Sequence, residues 1–490
     1  MPSSALLERH PDLPKRLAEI LPSEAVLTRP EDLTPYECDG LTALRGMPGL
    51  VVLPESAEQV GSVLRLCHEL EIPVIPRGAG TGLSGGALPR EDALVLSLTR
   101  LDRILDIDPD ERTALVEPGV RNLELSEAAA PYGLYYAPDP SSQIACTLGG
   151  NVAENSGGVH CLKYGLTIHN LLAMEIVLMN GEPVWIGGGG LDGPGLDLLP
   201  LVTGSEGLLG VITRIRVRLL PRPEAVRVLL AAFDDVRNAG DAVGAIIASG
   251  VIPAGLEMMD RLAIRAAEAY MQAGYPECEA LLICELDGIE AEAEAQAARV
   301  TALLEQHGAS GIRVARTPEA ARQLWAGRKA AFPAVGRLAP DYYVMDGTIP
   351  RHRLGEMLET IARLSRESGL PIANVFHAGD GNLHPLILYD AGVPGEMEKA
   401  ETVGMRILEA CVAVGGSITG EHGVGTEKLD AMCIQFGRAE LERFHAIKRA
   451  FDGKGLLNPG KAVPTLHRCA ELGAMHVHGG RLPHPELERF

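Results

Sequence analysis

The chain has 490 residues, more than one hydrophobic core usually serves, so we expect two or more domains. Hydrophobic residues make up 46% and charged residues 22%, which is typical of folded globular proteins and excludes a wholly disordered chain. The formal net charge of −21 would repel a phosphate backbone, so nucleic acid is not expected as a partner.

Cysteine spacing and the N-terminal sequence indicate the compartment. Nine cysteines are scattered along the chain without a C-x-x-C spacing, so we expect reduced thiols, no disulfide framework and no iron–sulfur cluster. The first twenty residues carry charges and prolines where a signal peptide has its apolar core, and no run of about 18 apolar residues occurs. These features predict a soluble, cytoplasmic protein without a transmembrane segment, and they leave peripheral membrane attachment through a partner open.

The N-terminal half begins with an α/β pattern. Residues 50–53 predict a strand, and Ser56 with Gln59 forms a capping-box pattern at the start of an amphipathic helix that ends before Pro73. Further strands are predicted over residues 93–98, 173–179 and 212–220. Two prolines, at 221 and 223, mark a boundary.

Three glycine-rich stretches, residues 77–86, 147–158 and 203–210, separate these strands. Residues 80–85 match the G-x-G-x-x-G fingerprint, but a strand follows where a Rossmann fold needs a helix, so we reject an NAD site of that type. One such loop is equally well explained as a tight turn. Three loops together favour an extended cofactor that backbone N–H groups approach closely.

Beyond the prolines, strands alternate with Ala-rich helices such as residues 289–306, which predicts a second α+β domain reaching to about residue 415. The last 25 or so residues are rich in His, Gly and Pro and are predicted to form an irregular tail. The four tail histidines, at 467, 476, 478 and 484, are better explained as solvated residues than as metal ligands.

Residues 374–388 predict a β-hairpin with Asp380 and Gly381 as a two-residue turn. With that turn, His377 faces His384 with β-carbons about 5 Å apart, close enough for both imidazoles to share a divalent metal. The alternative is a histidine pair that merely packs across the strands.

A third ligand is available in the glycine-rich loop of residues 415–425, which carries Glu421 and His422. Two histidines and one carboxylate with an open position are typical of catalytic rather than structural metal sites. Glu421 could instead be a surface carboxylate.

Residues 325–332 contain two adjacent cations, Arg328 and Lys329. An acid substrate needs a guanidinium fork that matches its carboxylate, which makes Arg328 the candidate anchor. A solvated helical face explains the pair equally well.

Eight segments in chain order resemble the FAD-linked oxidases and dehydrogenases of the vanillyl-alcohol-oxidase type, and the resemblance runs nearly end to end. They are PRGAGTGLSGGA, PDPSSQIACTLGGNVAENSGG, TGSEGLLGVIT, RKAAFPAVGR, FHAGDGNLHP, GEHGVG, GLLNPGK and the tail MHVHGGRLPHPELERF. The resemblance implies a two-domain α+β fold, an FAD-binding α+β domain plus a cap domain with an antiparallel sheet and helices. We assign an N-terminal helical segment (1–45), the FAD-binding domain (46–223), the substrate or cap domain (224–415), a C-terminal segment completing the active site and FAD domain (416–464), and the tail (465–490).

The resemblance also implies where FAD binds. Residues 77–84 would hold the pyrophosphate, residues 210–213 would meet the adenine side, and Asn458 would close over the flavin. Some relatives tether the flavin through a histidine where this chain has Thr81, so non-covalent FAD is expected. The implied cofactor-binding residues are Arg77, Gly78, Ala79, Gly80, Thr81, Gly82, Leu83, Ser84, Pro138, Asp139, Ser141, Ser142, Gly149, Gly150, Ala153, Asn155, Gly157, Gly158, Gly210, Ile212 and Asn458.

Relatives that oxidise D-2-hydroxy acids carry a divalent metal on residues matching His377, His384 and Glu421, with the residue matching His422 as base. The resemblance therefore implies a metal, zinc preferred with manganese or iron open, and Arg328 and His422 as catalytic residues. It implies oxidation of glycolate to glyoxylate, or of D-lactate to pyruvate, with hydride passing to FAD. Leu386 stands where relatives acting on D-2-hydroxyglutarate commonly have Asn, which favours a small substrate.

Similar relatives work with a second flavin subunit and an iron–sulfur subunit, and both are expected here as partners of a catalytic flavoprotein subunit. Three alternatives stay open from the sequence. The chain could be a stand-alone D-lactate dehydrogenase, a non-catalytic flavin-binding subunit, or a metallohydrolase built on the histidine pair.

Overall fold

The structure is a computed structural model that describes residues 4–189 and 195–471. The helices in these ranges are α1 Ala5–Arg9, α2 Leu13–Ala18, α3 Pro30–Leu33, α4 Ala57–Leu70, α5 Asn122–Ala129, α6 Leu148–Glu154, α7 Cys161–Tyr164, α8 Leu199–Val202, α9 Val236–Ala248, α10 Arg261–Met271, α11 Glu290–Gln306, α12 Pro318–Lys329, α13 Ala331–Val335, α14 Leu354–Ser368, α15 Glu396–Ala413, α16 Leu429–Gln435, α17 Arg438–Phe451 and α18 Leu466–Glu471. Within the described part of the chain, no helix is both long enough and apolar enough to cross a membrane.

The N-terminal half is built on two main sheets. A four-stranded sheet has the order β1-β2-β4-β3, in which β2, β4 and β3 are parallel, and a five-stranded antiparallel sheet has the order β5-β6-β10-β8-β9. The strands are β1 Val26–Leu27, β2 Leu50–Val52, β3 Val74–Arg77, β4 Leu94–Ser97, β5 Ile104–Asp108, β6 Thr113–Val116, β7 Leu134–Tyr135, β8 Leu171–Val177, β9 Pro183–Gly187, β10 Val211–Arg218 and β11 Leu220–Pro221, with β7 and β11 forming a small separate ribbon. Apolar side chains of the parallel strands and of α4 form the core of the first sheet, which explains their continuous apolar runs.

The capping-box pattern predicted before α4 is confirmed, with one difference in its partners. The Ser56 side chain accepts the Gln59 N–H, while the Gln59 side chain accepts the N–H of Glu55 at 2.7 Å. The predicted strands and the helix over 289–306 match β2, β4, β8, β10 and α11 to within two residues at each end.

The C-terminal half contains a seven-stranded antiparallel sheet of order β15-β12-β14-β13-β17-β18-β16, with helices packed on it. Its strands are β12 Ala225–Phe233, β13 Gly255–Asp260, β14 Ala280–Gly288, β15 Ser310–Ala315, β16 Asp341–Val344, β17 Ile372–His377 and β18 Asn382–Tyr389. Apolar side chains are buried on both faces of this sheet, in two separate clusters. The predicted cap domain with an antiparallel sheet and helices is thereby confirmed.

The predicted register of the β17–β18 hairpin is wrong. His377 pairs with Asn382, and His384 pairs with Val375, so four residues rather than two form the turn. The turn is longer because its backbone is tied to neighbours, with the Gly379 N–H bonded to the Leu256 carbonyl at 2.9 Å. Since side chains alternate along a strand, the two-residue difference still leaves both histidines on one face, with ring centroids 4.9 Å apart.

The C-terminal region departs from two expectations. Cys433 and Cys469 form a disulfide with Cα atoms 5.2 Å apart, so the expectation of reduced thiols throughout is wrong for this pair. The pairing depends on the packing of α16 against α18, which cysteine spacing does not reveal. Helix α18 also lies where an irregular tail was predicted, whereas the tail histidines 476, 478 and 484 lie outside the described residues.

Candidate active site

A cavity of about 400 Å³ lies between the two halves. The glycine-rich loops line one side, and Arg328, Phe332 and the histidine cluster line the other. The predicted cofactor-binding residues that line it are Arg77, Gly78, Ala79, Gly80, Thr81, Gly82, Leu83, Ser141, Ser142, Gly149, Gly150, Ala153, Gly157, Gly210 and Ile212.

The first two glycine loops pack tightly against each other. A β-carbon on Gly78 would lie 2.4 Å from the Thr147 hydroxyl, where Thr147 caps α6. A β-carbon on Gly80, which has a positive φ of 72°, would lie 2.2 Å from the Arg77 guanidinium. The positive φ favours glycine at Gly80, and a side chain at Gly78 would displace the Thr147 hydroxyl. Glycine at both positions leaves backbone and the Arg77 side chain at the cavity wall.

Six predicted cofactor-binding residues are not part of this lining, namely Ser84, Pro138, Asp139, Asn155, Gly158 and Asn458. Asn458 supports two residues that do line the cavity, since its amide donates to the carbonyls of Gly86 and Glu206. The Asn155 side chain accepts the N–H of Ile168, which is not part of the lining.

The predicted metal ligands and the predicted base converge on the Glu421 carboxylate. One Glu421 oxygen lies 3.0 Å from His384 Nε2, 3.4 Å from His377 Nε2 and 4.0 Å from His422 Nε2. The His384 ring stacks on the His422 ring at 5.0 Å and meets the His377 ring edge-on. Four side chains from one hairpin and one distant loop therefore form a single cluster.

Asp346, which the sequence reasoning missed, folds the loop that carries Glu421 and His422. Its buried carboxylate accepts the N–H of His422 at 2.8 Å and of Gly420 at 3.1 Å, and it pairs with Lys428 Nζ at 3.2 Å. Burial alone would raise the pKa of Asp346, but the surrounding His422 and Lys428 hold it well below its usual range. An ionised aspartate thus shapes the loop beneath the cluster.

The electrostatics differ between the two histidines at the ends of the cluster. Burial lowers the pKa of His422 to about 4, and the Asp346 carboxylate opposes this only in part. Burial would also lower the pKa of His377, but the Glu257 carboxylate beside it raises that pKa well above its usual value. The His422 ring is therefore neutral near pH 7 and able to accept a proton.

Arg328 lies in the last turn of α12 and is 4% exposed, whereas the neighbouring Lys329 is exposed. This rules out the solvated-face explanation for Arg328. One of its terminal nitrogens lies 2.5 Å from Glu257, and its Nε has no hydrogen-bond partner among the described residues. Glu257 was also missed, although a lone carboxylate between the apolar Leu256 and Met258 was a signal in the sequence.

Comparison with known proteins identifies the class. Residues 48–187 match a family model described as FAD binding domain, and residues 222–462 match one described as FAD linked oxidases, C-terminal domain. The chain belongs to the family of FAD-linked oxidases, as the resemblance predicted.

Within that family, the chain is similar to a particular subunit. It is 61% identical over 475 residues to glycolate oxidase subunit GlcD of Escherichia coli (strain K12), covering 97% of this chain and 95% of that protein. It is 38% identical over 428 residues to glycolate oxidase subunit GlcD of Bacillus subtilis (strain 168), covering 87% and 91%. D-lactate dehydrogenase of Archaeoglobus fulgidus is 35% identical over 422 residues, covering 85% and 92%.

Solved structures support the fold. A p-cresol methylhydroxylase with bound substrate superposes with a TM-score of 0.81, 20% identity, and coverage of 95% of this chain and 99% of that chain. An alkyldihydroxyacetonephosphate synthase superposes with a TM-score of 0.73 and 20% identity, covering 92% and 86%. At this identity, the likeness establishes the shared two-domain fold.

Proposed function

We propose that this chain is the catalytic flavoprotein subunit of a glycolate oxidase complex, oxidising glycolate to glyoxylate and, as a second substrate, D-lactate to pyruvate with FAD. The proposal rests on one observation. Arg328 and the histidine cluster around Glu421 lie at one wall of the cavity, and the glycine loops line the other. Hydroxy-acid oxidation needs an anchor for the carboxylate, a base for the hydroxyl and a hydride acceptor, and this cavity supplies a place for each.

The residues of the glycine loops fit FAD. Backbone groups of the Gly78 and Gly80 region and the Arg77 guanidinium suit the negative charge of a pyrophosphate. Thr81 offers no nucleophilic imidazole, which favours non-covalent binding. Bound FAD would accept the hydride that leaves the α-carbon of the substrate.

The seven-stranded sheet lies wholly within residues 224–415, which supports the division into domains given above.

We infer that His377, His384 and Glu421 hold a divalent metal, zinc by preference with manganese or iron as alternatives. Ligand atoms that bind one ion at about 2.1 Å lie roughly 3.0–3.4 Å apart, and the separations of both imidazoles from Glu421 fall in that range. Such a metal would stabilise the hydroxyl oxygen of the substrate as its proton leaves.

Asp346 also lies near this cluster, with potential ligand atoms of Asp346, His384, Glu421 and His422 all within 4.8 Å of one another. Its oxygens, however, already accept loop N–H groups and face Lys428. We therefore assign Asp346 to the support of the loop and not to the metal.

Arg328 and His422 have different roles in the proposed reaction. Arg328 binds the substrate carboxylate through its unpartnered Nε–H, and the neutral His422 accepts the hydroxyl proton. Leu386, two residues after His384, is apolar and offers no second polar anchor, which favours a monocarboxylate as small as glycolate or D-lactate over a dicarboxylate.

The electrons must then pass to another carrier. The nine cysteines have no cluster spacing, and two of them form a disulfide. We propose a second flavin subunit and an iron–sulfur subunit as partners, which would also provide any attachment to a membrane surface. The relatives described as subunits support a multi-subunit assembly.

An anaerobic absorbance titration tests the function. The purified chain is mixed first with glycolate and then with D-lactate, and its divalent metal content is measured on the same sample. We expect bleaching of the oxidised-flavin band and about one metal per chain. A metal-loaded flavoprotein that no 2-hydroxy acid reduces would instead be a non-catalytic subunit, and faster reduction by D-lactate without co-purifying subunits would indicate a stand-alone D-lactate dehydrogenase.

A further inference from the structure

We propose that Glu257 is a positioning residue that orients both the metal ligand His377 and the substrate anchor Arg328. The inference rests on the proposed function, because it concerns the same site. In this role, the Glu257 side chain sets the distance between the metal and the guanidinium that binds the substrate.

Glu257 occupies the middle of β13, a strand whose other side chains are mostly apolar. It is 1% exposed, and a buried carboxylate is costly unless charged or hydrogen-bonding groups surround it. Strand β13 pairs with β17, the strand that ends at His377, so Glu257 lies beside the histidine cluster. The two partners of Glu257 are both residues of the proposed site.

The first carboxylate oxygen of Glu257 lies 2.7 Å from His377 Nδ1. A hydrogen bond to Nδ1 holds a proton there, so Nε2 is the nitrogen that gives up its proton when a metal binds. His377 Nε2 is the nitrogen that faces Glu421. Glu257 therefore selects the tautomer and the ring orientation that metal binding requires.

The second oxygen lies 2.5 Å from a terminal nitrogen of Arg328. A guanidinium is planar and has donors on more than one edge, so Glu257 can hold one part of it while Nε–H stays free for a second carboxylate. Because the same carboxylate contacts both residues, its loss should weaken metal binding and substrate binding together.

Glu285 is a matched control on the adjacent strand β14. Its carboxylate is partly buried, with 15% of the side chain exposed, and it also contacts a histidine, with His160 Nε2 at 3.0 Å and the Trp325 indole N–H at 2.7 Å. It belongs to neither the proposed metal site nor the substrate anchor. Glu285→Gln therefore removes a similar charge without affecting either function of Glu257.

The test compares the FAD-loaded full chain with its Glu257→Gln, Glu257→Asp and Glu285→Gln variants. Zn²⁺ affinity is measured by competition with a chelator, and oxalate, a carboxylate that cannot be oxidised here, is titrated against the flavin absorbance. For Glu257→Gln we expect zinc affinity about 10- to 100-fold weaker, together with weaker oxalate binding. Glu257→Asp keeps the charge and should recover part of both, while Glu285→Gln should match the parent chain.

Parent-like zinc affinity and parent-like oxalate affinity in Glu257→Gln would overturn the role, as would equal losses in Glu285→Gln. If Glu257→Gln does not fold, the Glu257→Asp variant alone tests the proposal. Zinc and oxalate affinities equal to those of the parent chain would then overturn it. A parent chain that is reduced by glycolate yet binds no zinc, manganese or iron would overturn the metal site and this role. A parent chain that binds metal but is never reduced overturns the proposed function, while the zinc comparison still decides the role of Glu257.

Discussion

Glu206 accepts the N–H of Gly425 at 2.7 Å with one carboxylate oxygen, and its other oxygen accepts the N–H of Val424 at the same distance. Glu206 belongs to the third glycine-rich stretch of the N-terminal half, whereas Val424 and Gly425 follow Glu421 and His422 after one intervening residue, Gly423. One buried side chain thus ties the loop of the histidine cluster to the cofactor side of the cavity.

Replacing Glu206 with Gln should loosen this connection. The amide presents only one acceptor atom, and its NH₂ group would face a backbone N–H, so we expect a loss of about 2 kcal/mol in the free energy of unfolding. Turnover with glycolate should fall more than FAD affinity, since the loop and not the cofactor contacts is disturbed. Denaturant unfolding and flavin titration measure the two effects. Glu175→Gln, a buried carboxylate that bonds Thr213 away from this loop, should leave turnover unchanged if the explanation is right.

His422→Ala removes the proposed base. Because a well-placed general base contributes about 10²- to 10⁴-fold, turnover should fall by that factor. The flavin spectrum and the metal content should not change, since His422 is not among the proposed ligands. A variant that retains both cofactors and full turnover would show that another group accepts the proton.

The adjacent cations Arg328 and Lys329 give a matched pair of substitutions. Arg328→Lys keeps the charge but loses the planar fork, so we expect the KM for glycolate to rise about tenfold or more. Lys329→Met changes an exposed side chain and should leave both kcat and KM as they are. Steady-state kinetics measure both, and an equal effect of the two substitutions would count against a specific anchor.

The state of the flavin can be tested without any substitution. Since Thr81 lies at the cavity wall where a tethering histidine would be needed, acid precipitation should release all of the FAD into the supernatant. Absorbance of the two fractions gives the answer. A pellet that stays yellow after washing would reveal a covalent link at another residue.

Asp260 should make stability depend on pH. Burial raises its pKa to about 6, above the unfolded value of 3.8, so between these values the folded chain binds more protons than the unfolded chain. Its contribution is therefore present at low pH and is lost as the pH rises through 6. The asparagine of the Asp260→Asn variant does not titrate. The free energy of unfolding of this variant, measured relative to that of the native chain, should therefore be higher at pH 8 than at pH 5 by roughly 1 kcal/mol. Urea unfolding at both pH values measures this, and a constant difference would contradict the shift.

Much of the fold follows from local patterns. Apolar runs and a capping box placed β2, α4 and β4 to within about one residue, because strand and helix periodicity are properties of short segments. The hairpin shows where this reasoning ends. Asp380 and Gly381 were a sound turn signal, but the turn also bonds to Leu256 and Ile349, which are distant in the sequence, and these contacts set its length.

By itself, the sequence indicated the family through eight segments in chain order. It also singled out as candidates the glycine loops, the histidine pair with Glu421 and His422, and Arg328, because their residue types suit that chemistry. The tertiary structure alone decided their partners. Glu257, Asp346 and Glu206 are isolated carboxylates in the sequence, and their roles depend on contacts with residues 71 to 219 positions away. Burial makes those contacts necessary, since an ionised carboxylate in the interior needs donors that only the folded chain brings to it.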